Sequence, residues 1–312
     1  MSYYVSGIIE QHIHGGFGVN FNTCKKDDVL YFLEMIKSFG VTKIYPTIHT
    51  DDLSVMNRQI KVIYEASKEK FDVKIMGVHL EGPFINPQKA GVHRPEIIRK
   101  PYLDDYKKII EGINEDFIKI VTLAPELDDG YELTDYLTQN RVTVSAGHTL
   151  CENLNKVSQV THLFNAMSGI SHKQNSTATQ ALINDNIYTE VIADGNHIID
   201  DVLKLIFKTK PKDKIILISD ALPIAHSKNN VEIFMGKEIF MSENCAKTKD
   251  GTMAGSGLFV FDIIKRLVKC GLCDIETAFK MASINISEHL KIEHASMLEI
   301  DKNFNITSVK YD

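Results

Sequence analysis

The pattern of apolar and polar positions along this chain predicts a parallel α/β fold. Short apolar runs typical of buried strands alternate with longer stretches in which apolar residues recur every three or four positions. This order repeats eight times before residue 230. Strands are predicted at residues 5–12, 43–48, 74–80, 118–124, 141–147, 159–164, 188–193 and 214–219. Eight is the number of parallel strands that closes a (β/α)8 TIM barrel, which is therefore the fold we predict.

The stretches between these strands have the periodicity of amphipathic helices, which parallel strands need as crossover connections. The clearest helices are predicted at residues 28–39, 53–68, 102–112 and 201–208.

The pattern changes after Asp220. A hairpin-like stretch at 230–246 is followed by the glycine-rich GTMAGSG and by two helices, at 258–270 and 274–289. The last residues, 291–312, have the pattern of a short β-hairpin. We therefore predict a barrel over residues 1–290, with the 230–246 hairpin as an insertion, and a short C-terminal hairpin at 291–312.

Composition and charge narrow the possible functions. A chain of 312 residues with 44% hydrophobic content can bury one large core. The net charge of −6, with 35 dispersed Lys and Arg residues, gives no basic surface for nucleic acid. No apolar run approaches the roughly 20 residues that cross a bilayer, and the first residues lack a signal-peptide pattern. We predict no nucleic-acid partner, no membrane association and a cytoplasmic location, which the odd number of cysteines, five, also fits.

Possible metal ligands and proton carriers stand where the predicted strands end. The segments are QHIHGG, HLEGPF, SAGHT, THLFNAM, IADGNH and LISDA. Because all strand ends of one polarity open onto the same face of a barrel, these side chains can converge on a single ion. The sequence therefore predicts a metallohydrolase.

Glu81, His148 and His162 are the predicted principal ligands. Glu81 ends the third strand, and the two histidines belong to the neighbouring fifth and sixth strands. A buried carboxylate there would be costly unless it met a cation. A Glu-His-His set suits a divalent metal with an open position for water, and we expect zinc, with iron as the alternative.

His12, His14 and Asp220 are further candidates at this face. The two histidines are two residues apart on a strand, so both project to the same side, although such a pair could also be two polar residues facing the barrel interior. Asp220 ends the eighth strand, within reach of water on the metal, and is predicted to act as general base and then as general acid toward the leaving nitrogen. The alternative for Asp220 is a helix N-cap. His49, at the end of the second strand, is expected to be a surface histidine, with a further metal ligand as the alternative.

A series of motifs carries a resemblance to a known family. GVHLEGPFINPQKAGVH, TLAPE, SAGHT, THLFNAM, IADGNH, SDA and GTMAGS follow one another between about residues 5 and 260. In this order they resemble the N-acetylglucosamine-6-phosphate deacetylases of the amidohydrolase superfamily. The resemblance implies a barrel of the metal-dependent hydrolase type that removes acetate from N-acetyl-D-glucosamine 6-phosphate in amino-sugar catabolism. It also implies a homodimer.

The resemblance assigns roles to individual residues. It implies that Glu81, His148 and His162 hold the principal metal and that His12 and His14 can hold a second, so that one or two ions bind. Asp220 would handle protons.

The resemblance also implies substrate contacts. His197 would contact the sugar and polarise the acetyl carbonyl, and His93, Asn165 and Ala166 would contact the sugar phosphate. Lys173 stands where a family arginine reaches the phosphate of the neighbouring subunit. His197 could instead be an ordinary polar residue, and Asn165 a loop-stabilising amide. GTMAGSG is expected to wall the acetyl pocket.

The resemblance leaves the domain content, the substrate and the activity open. The auxiliary β-sandwich domain of the family is expected to be reduced or missing here. The sequence does not choose between glucosamine, galactosamine and mannosamine substrates. The chain could also be an amidohydrolase acting on a related acylated amino sugar or cyclic amide, or a non-catalytic sugar-phosphate-binding relative.

Overall fold

The structure is a computed structural model and describes residues 2–312. Its strands are β1 (Ser2–Ser6), β2 (Ile8–Ile13), β3 (Gly15–Gly16), β4 (Val19–Asn20), β5 (Val41–His49), β6 (Lys74–Ile75), β7 (Val78–Glu81), β8 (Ile118–Leu123), β9 (Thr143–Ala146), β10 (Gln159–Val160), β11 (Tyr188–Val191), β12 (Ile215–Leu217), β13 (Val231–Phe234), β14 (Lys237–Ser242), β15 (Cys245–Thr248), β16 (Met253–Ser256), β17 (Met297–Asp301) and β18 (Ile306–Lys310). The α-helices are α1 (Lys26–Ile36), α2 (Leu53–Ser67), α3 (Leu103–Ile109), α4 (Glu132–Gln139), α5 (Thr177–Ile183), α6 (Asp200–Thr209), α7 (Val260–Lys269), α8 (Ile275–Met281) and α9 (Ile284–Leu290).

Eight parallel strands form the central barrel, as the sequence predicts. They neighbour one another in the order β2, β5, β7, β8, β9, β10, β11 and β12. The backbone just after β12 returns to β2: the Asp220 N–H donates to the carbonyl of His12 at 3.0 Å, and the His14 N–H donates to that of Ala221 at 2.9 Å. These bonds close the circle, and they place Asp220 beside the two histidines of the first barrel strand.

The first barrel strand starts later than predicted. Residues 2–6 form the separate strand β1, which runs antiparallel to β17, and the barrel strand begins only at Ile8. Gly7 separates the two, and a Cβ there would lie 2.6 Å from the side chain of Thr42. The close approach of the backbone to β5 therefore requires glycine at this point.

The connections between barrel strands are mostly helical. The exception lies between β9 and β10, where residues 147–158 contain no helix and carry His148. The predicted helix at 274–289 is two helices, α8 and α9, which are interrupted at Ala282 and Ser283. None of the helices within residues 2–312 has both the length and the apolar character that a membrane crossing requires.

The two hairpins predicted after the barrel strands are each part of a larger sheet. The 230–246 hairpin is β13 and β14, but β15 and β16 extend it into a four-stranded antiparallel sheet. The glycine-rich segment GTMAGSG thus contributes the strand β16. The C-terminal hairpin is β17 and β18, and β1 adds a third strand to it.

Apolar packing and polar packing occupy different parts of the barrel. The helices bury residues such as Phe32, Ile60 and Leu203 against the outside of the sheet. The interior below the strand ends is polar, with side chains that are 0% exposed: Gln11, His79, Thr122, Ser145, Gln159, Thr161 and Glu190. Buried polar groups are tolerated only when they are hydrogen-bonded, so this layer needs an ordered network.

Candidate metal centre

Three side chains converge at the carboxyl ends of β7, β9 and β10. The Nε2 atoms of His148 and His162 lie 3.2 Å and 3.1 Å from the same oxygen, Oε1 of Glu81. The two Nε2 atoms are 3.1 Å from each other. All three side chains are buried. The structure therefore brings together the three residues that the sequence predicts as principal ligands.

The other ring nitrogen of each histidine identifies its tautomer. His148 Nδ1 lies 2.7 Å from the carbonyl of Lys89, and His162 Nδ1 lies 3.1 Å from that of Asn165. A carbonyl only accepts, so each Nδ1 carries the proton and each Nε2 presents a lone pair. Two lone pairs and a carboxylate oxygen facing one another repel unless a cation lies between them. The donor set therefore fits a divalent metal, and the Nδ1 contacts are those typical of metal-bound histidine.

A second group of ligands adjoins the first through Glu81. His14 Nε2 lies 3.1 Å from Glu81 Oε2 and 3.2 Å from Asp220 Oδ1. His12 Nε2 lies 3.5 Å from Glu81 Oε1 and 3.5 Å from Asp220 Oδ1, and it has no hydrogen-bond partner within residues 2–312. A buried nitrogen that has no hydrogen-bond partner and faces two carboxylates fits a second divalent ion. Both halves of the H-x-H pair thus point into the site.

Both carboxylates at the centre are held in the ionised form. Burial favours the neutral acid, but where no cation neutralises these carboxylates His12 is itself protonated, and its charge holds the pKa of Glu81 well below its usual range. The pKa of Asp220 is also lowered, because the charge of His12 and the contact with His14 outweigh its burial. The site therefore offers negative oxygens to a cation.

Three of these side chains extend from residues with left-handed backbone. The φ angle is 47° at His148, 31° at His162 and 51° at Asp220. Non-glycine residues seldom adopt this region, and each costs of order 1–3 kcal/mol unless its surroundings hold it. No helix begins at Asp220, so the N-cap alternative is wrong. The strained bends turn the three side chains into the mouth of the barrel.

A cavity of about 270 Å³ opens beside the ligands. The four residues to which the resemblance assigns substrate contacts line it: His93, Asn165, Ala166 and His197. The amide of Asn165 donates to nearby backbone carbonyls, at 3.3 Å and 3.2 Å, so this side chain also stabilises its loop. Lys173 is exposed, outside the cavity of its own chain.

The sequence of this chain matches a known protein family. A profile described as the amidohydrolase family matches residues 3–312. The chain belongs to the amidohydrolase family.

Individual amidohydrolases of known name resemble the chain over most of its length. An N-acetylglucosamine-6-phosphate deacetylase of Bacillus subtilis is 31% identical, over 100% of this chain and 81% of that protein. An N-acetylgalactosamine-6-phosphate deacetylase of Escherichia coli is 27% identical, over 96% of this chain and 84% of that protein. The crystal structure of the N-acetylglucosamine-6-phosphate deacetylase of Pasteurella multocida superposes with a TM-score of 0.90 at 25% identity, covering 99% of this chain and 85% of the other.

Sequence reasoning missed several residues that support this amidohydrolase site. Asp194 accepts from the His197 side chain, Nδ1 to Oδ2 at 2.8 Å, and from the His197 backbone N–H at 2.9 Å. Glu126, from the TLAPE motif, accepts from Asn86 at 2.9 Å and from the Leu150 backbone N–H at 2.7 Å. Glu190 contacts His12 from below, Oε2 to Nδ1 at 3.0 Å. A charged residue inside an apolar strand, as in YTEVIA, is the signal that could have indicated Glu190.

The expectation for His49 is wrong. Its side chain is not on the surface but buried, 3% exposed, with ring centroids 6.0 Å from His14 and 4.8 Å from Phe234. Its Nδ1 contacts the carbonyl of Thr50 at 3.0 Å, and burial lowers the pKa of the ring well below its usual value. The sheet β13–β16, which sequence reasoning reduced to a hairpin, supplies the Phe234 that covers it.

Proposed function

We propose that this protein removes the acetyl group from N-acetyl-D-glucosamine 6-phosphate and releases acetate and glucosamine 6-phosphate. The observation that carries the proposal is the convergence of Glu81, His148 and His162 at a cavity that Asp220 also lines. Alignment along the whole chain with a deacetylase of this name supports the substrate class. The reaction belongs to amino-sugar catabolism.

The cofactor in this proposal is zinc, with iron as the alternative. Two imidazoles and one carboxylate suit either ion, and His12 with His14 supplies the ligands for a second one. A bound divalent ion polarises a carbonyl oxygen and lowers the pKa of water toward 7. The protein itself orients the ligands, through the contacts of Lys89 and Asn165 to the ligand imidazoles.

Asp220 carries the proton in the proposed reaction. Its carboxylate lines the cavity, and its lowered pKa keeps it ionised at neutral pH, so that it can accept a proton from the attacking water. Once protonated, it can donate the same proton to the nitrogen that leaves the acetyl carbon. This transfer is necessary because an amine anion is a very poor leaving group.

His197 and the strand β16 position the acetamido group. The contact with Asp194 fixes the ring of His197 and leaves Nε2 for the substrate. A carboxylate partner stabilises the imidazolium form of the ring, and Nε2–H of that form can donate to the acetyl carbonyl oxygen as negative charge develops there. Met253 and Ala254 of β16 line the same cavity, which supports the predicted role of GTMAGSG as the wall of the acetyl pocket.

The phosphate group of the substrate needs a cationic partner. Lys89 contributes to the cavity lining, whereas Lys173 does not. We propose a homodimer in which Lys173 reaches the phosphate bound in the neighbouring subunit. Lys173→Ala is then expected to raise KM for the phosphorylated sugar and to leave turnover of the unphosphorylated sugar unchanged. If Lys89→Ala raises this KM and Lys173→Ala does not, Lys89 of the same chain binds the phosphate, and the proposed contact across a dimer is contradicted.

A substrate panel tests the proposed reaction. Protein purified without chelator is assayed for acetate and free amine with N-acetylglucosamine, its 6-phosphate and the 6-phosphates of the galactosamine and mannosamine epimers. We expect the highest kcat/KM with N-acetylglucosamine 6-phosphate. Release of acetate from none of these sugars would contradict the proposal.

N-acetylgalactosamine 6-phosphate is the second candidate substrate. A deacetylase named for that sugar aligns with 96% of the chain at 27% identity, compared with 31% for the N-acetylglucosamine-6-phosphate deacetylase. The two sugars differ at one hydroxyl, so the ratio of the two kcat/KM values in the panel decides between them. A cytoplasmic location is also part of the proposal, and it rests on the five free cysteines.

A further inference from the structure

Glu190 is the buried carboxylate that contacts both groups of candidate ligands. It lies on β11 inside the barrel and is 0% exposed. Its Oε2 accepts from His12 Nδ1 at 3.0 Å and from the backbone N–H of His162 at 3.3 Å. His12 lies on β2 and His162 follows β10, and these two strands flank the pair β11 and β12 in the barrel. One oxygen of Glu190 therefore contacts candidate ligands from both flanking strands.

The remaining atoms of Glu190 reinforce the same arrangement. Oε1 accepts from the side-chain amides of Gln11 at 2.6 Å and of Gln159 at 3.0 Å. The backbone carbonyl of Glu190 accepts from the N–H of Leu163 at 2.9 Å. The two consecutive N–H groups at the strained bend of His162 are therefore both held by Glu190, one by its side chain and one by its backbone. A left-handed residue persists only where contacts of this kind hold it.

The cluster of His12, His79 and Glu190 is not itself a further metal site. Both ring nitrogens of His79 are already engaged, Nδ1 with the carbonyl of Gln11 at 3.1 Å and Nε2 with Thr122 Oγ1 at 2.8 Å. The donors around Glu190 also satisfy its two oxygens. The cluster is therefore a hydrogen-bonded support beneath the ligands.

We propose that Glu190 is a positioning residue that fixes the His12 tautomer and the His162 bend together, so that the ligands of both metal positions are held by one carboxylate. Because Nδ1 of His12 donates to Glu190, the proton that a metal would displace is the one on Nε2, and the lone pair freed there faces Glu81 and Asp220. This inference rests on the proposed metal-dependent function. It assigns a role to a residue that does not touch the substrate.

Metal binding in Glu190→Gln tests the proposal without an activity assay. A neutral amide is a weaker acceptor for the His12 and His162 donors, so zinc affinity, measured by competition with a chelating dye, is expected to fall roughly 10- to 100-fold. The absorption spectrum of the cobalt(II)-substituted protein is expected to change as well, because it reports the arrangement of the ligands. Asp128→Asn is the matched control: Asp128 is also buried and accepts backbone N–H groups, from Leu133 and Thr134, but contacts no candidate ligand.

A double-mutant cycle with His12→Asn separates positioning from general destabilisation. If Glu190 acts partly through His12, the loss of zinc affinity from Glu190→Gln is smaller in the His12→Asn background than in the wild type. Full additivity would overturn the proposal, as would wild-type affinity and an unchanged cobalt spectrum in Glu190→Gln. If that variant does not fold, Glu190→Asp replaces it, since it keeps the charge but shortens the reach; wild-type zinc affinity there would count equally against the proposal.

The outcome is independent of the substrate. A wild-type protein that binds zinc but releases no acetate would contradict the proposed function. The zinc affinity of Glu190→Gln would still decide the role of Glu190. A protein that releases acetate while Glu190→Gln binds zinc normally would contradict only the role of Glu190.

Discussion

Individual residues of the candidate site were predictable where a histidine or a carboxylate stands at the end of a predicted strand. Glu81, His148 and His162 could be named because histidine and glutamate are costly at a buried strand end unless they bind something. Asp194 and Glu190 could not be assigned their roles, because a carboxylate that supports a histidine is recognised only from the partner it contacts across the barrel. Their contacts depend on the tertiary fold and leave no spacing signal in the sequence.

Asp220 is expected to contribute to turnover more than to binding. Asp220→Asn removes the group that accepts and returns the proton, so kcat should fall roughly 100- to 10,000-fold while KM changes little. The measurement is steady-state acetate release, with metal content determined on the same sample. Near-normal kcat at full metal content would remove Asp220 from the proton transfer.

Asp194 is expected to act through His197. Asp194→Asn keeps an oxygen for the backbone N–H groups but removes the negative charge that stabilises the His197 imidazolium, the form that can donate from both ring nitrogens. We expect kcat to fall roughly 100-fold, with zinc content unchanged, because Asp194 contacts no candidate metal ligand. An equal loss of bound zinc would indicate that Asp194 acts on the metal centre instead.

At the scale of elements, the helix-free connection 147–158 is the part of the barrel that sequence reasoning could not describe. Its first residues carry His148, and Glu126 ties it to the loop after β7 by accepting from Asn86 and from the Leu150 N–H. The Asn86 N–H in turn donates to the carbonyl of His148 at 2.8 Å. Side-chain contacts thus replace the helix that holds the other connections.

Loss of Glu126 should loosen this connection. Glu126→Ala removes the acceptor for both loops, so His148 is held less firmly and zinc should dissociate faster, by roughly tenfold. The measurement is the rate of zinc transfer to an excess of chelator. Glu132→Ala, in the first turn of α4, is a matched control that removes a carboxylate without touching either loop. Equal transfer rates in the wild type and Glu126→Ala would contradict this role.

The packing of α9 on β11 predicts a dependence of stability on pH. His289 of α9 stacks on Tyr188 with ring centroids 4.0 Å apart, and burial lowers its pKa to about 4. Between that value and the unfolded value near 6.5, the unfolded chain binds the extra proton, so His289 makes the free energy of unfolding decrease as pH falls through this window.

His289→Phe keeps a ring against Tyr188 and removes the titration. We expect its free energy of unfolding relative to wild type to improve by up to about 3 kcal/mol between pH 7 and pH 4. The measurement is urea unfolding of both metal-free proteins at several pH values. Parallel curves for the two proteins would show that His289 does not titrate differently on folding.

For the whole molecule, the repeated strand and helix pattern was enough to predict the closed barrel, because each strand is buried on both faces and each helix on one. The partner strand of the C-terminal hairpin was not predictable. β1 is a short, half-buried strand at the opposite end of the sequence, and nothing in its pattern indicates that it leaves the barrel to pair with β17. Long-range pairing of this kind depends on the finished fold.

The central claim is that a divalent ion held by Glu81, His148 and His162 drives deacetylation. Its most direct test is acetate release from N-acetylglucosamine 6-phosphate by chelator-treated protein during titration with zinc, beside Glu81→Gln treated in the same way. The account predicts that activity disappears with the metal, returns in proportion to bound zinc, and does not return in Glu81→Gln. Full acetate release by metal-free protein, or normal zinc binding and activity in Glu81→Gln, would contradict it.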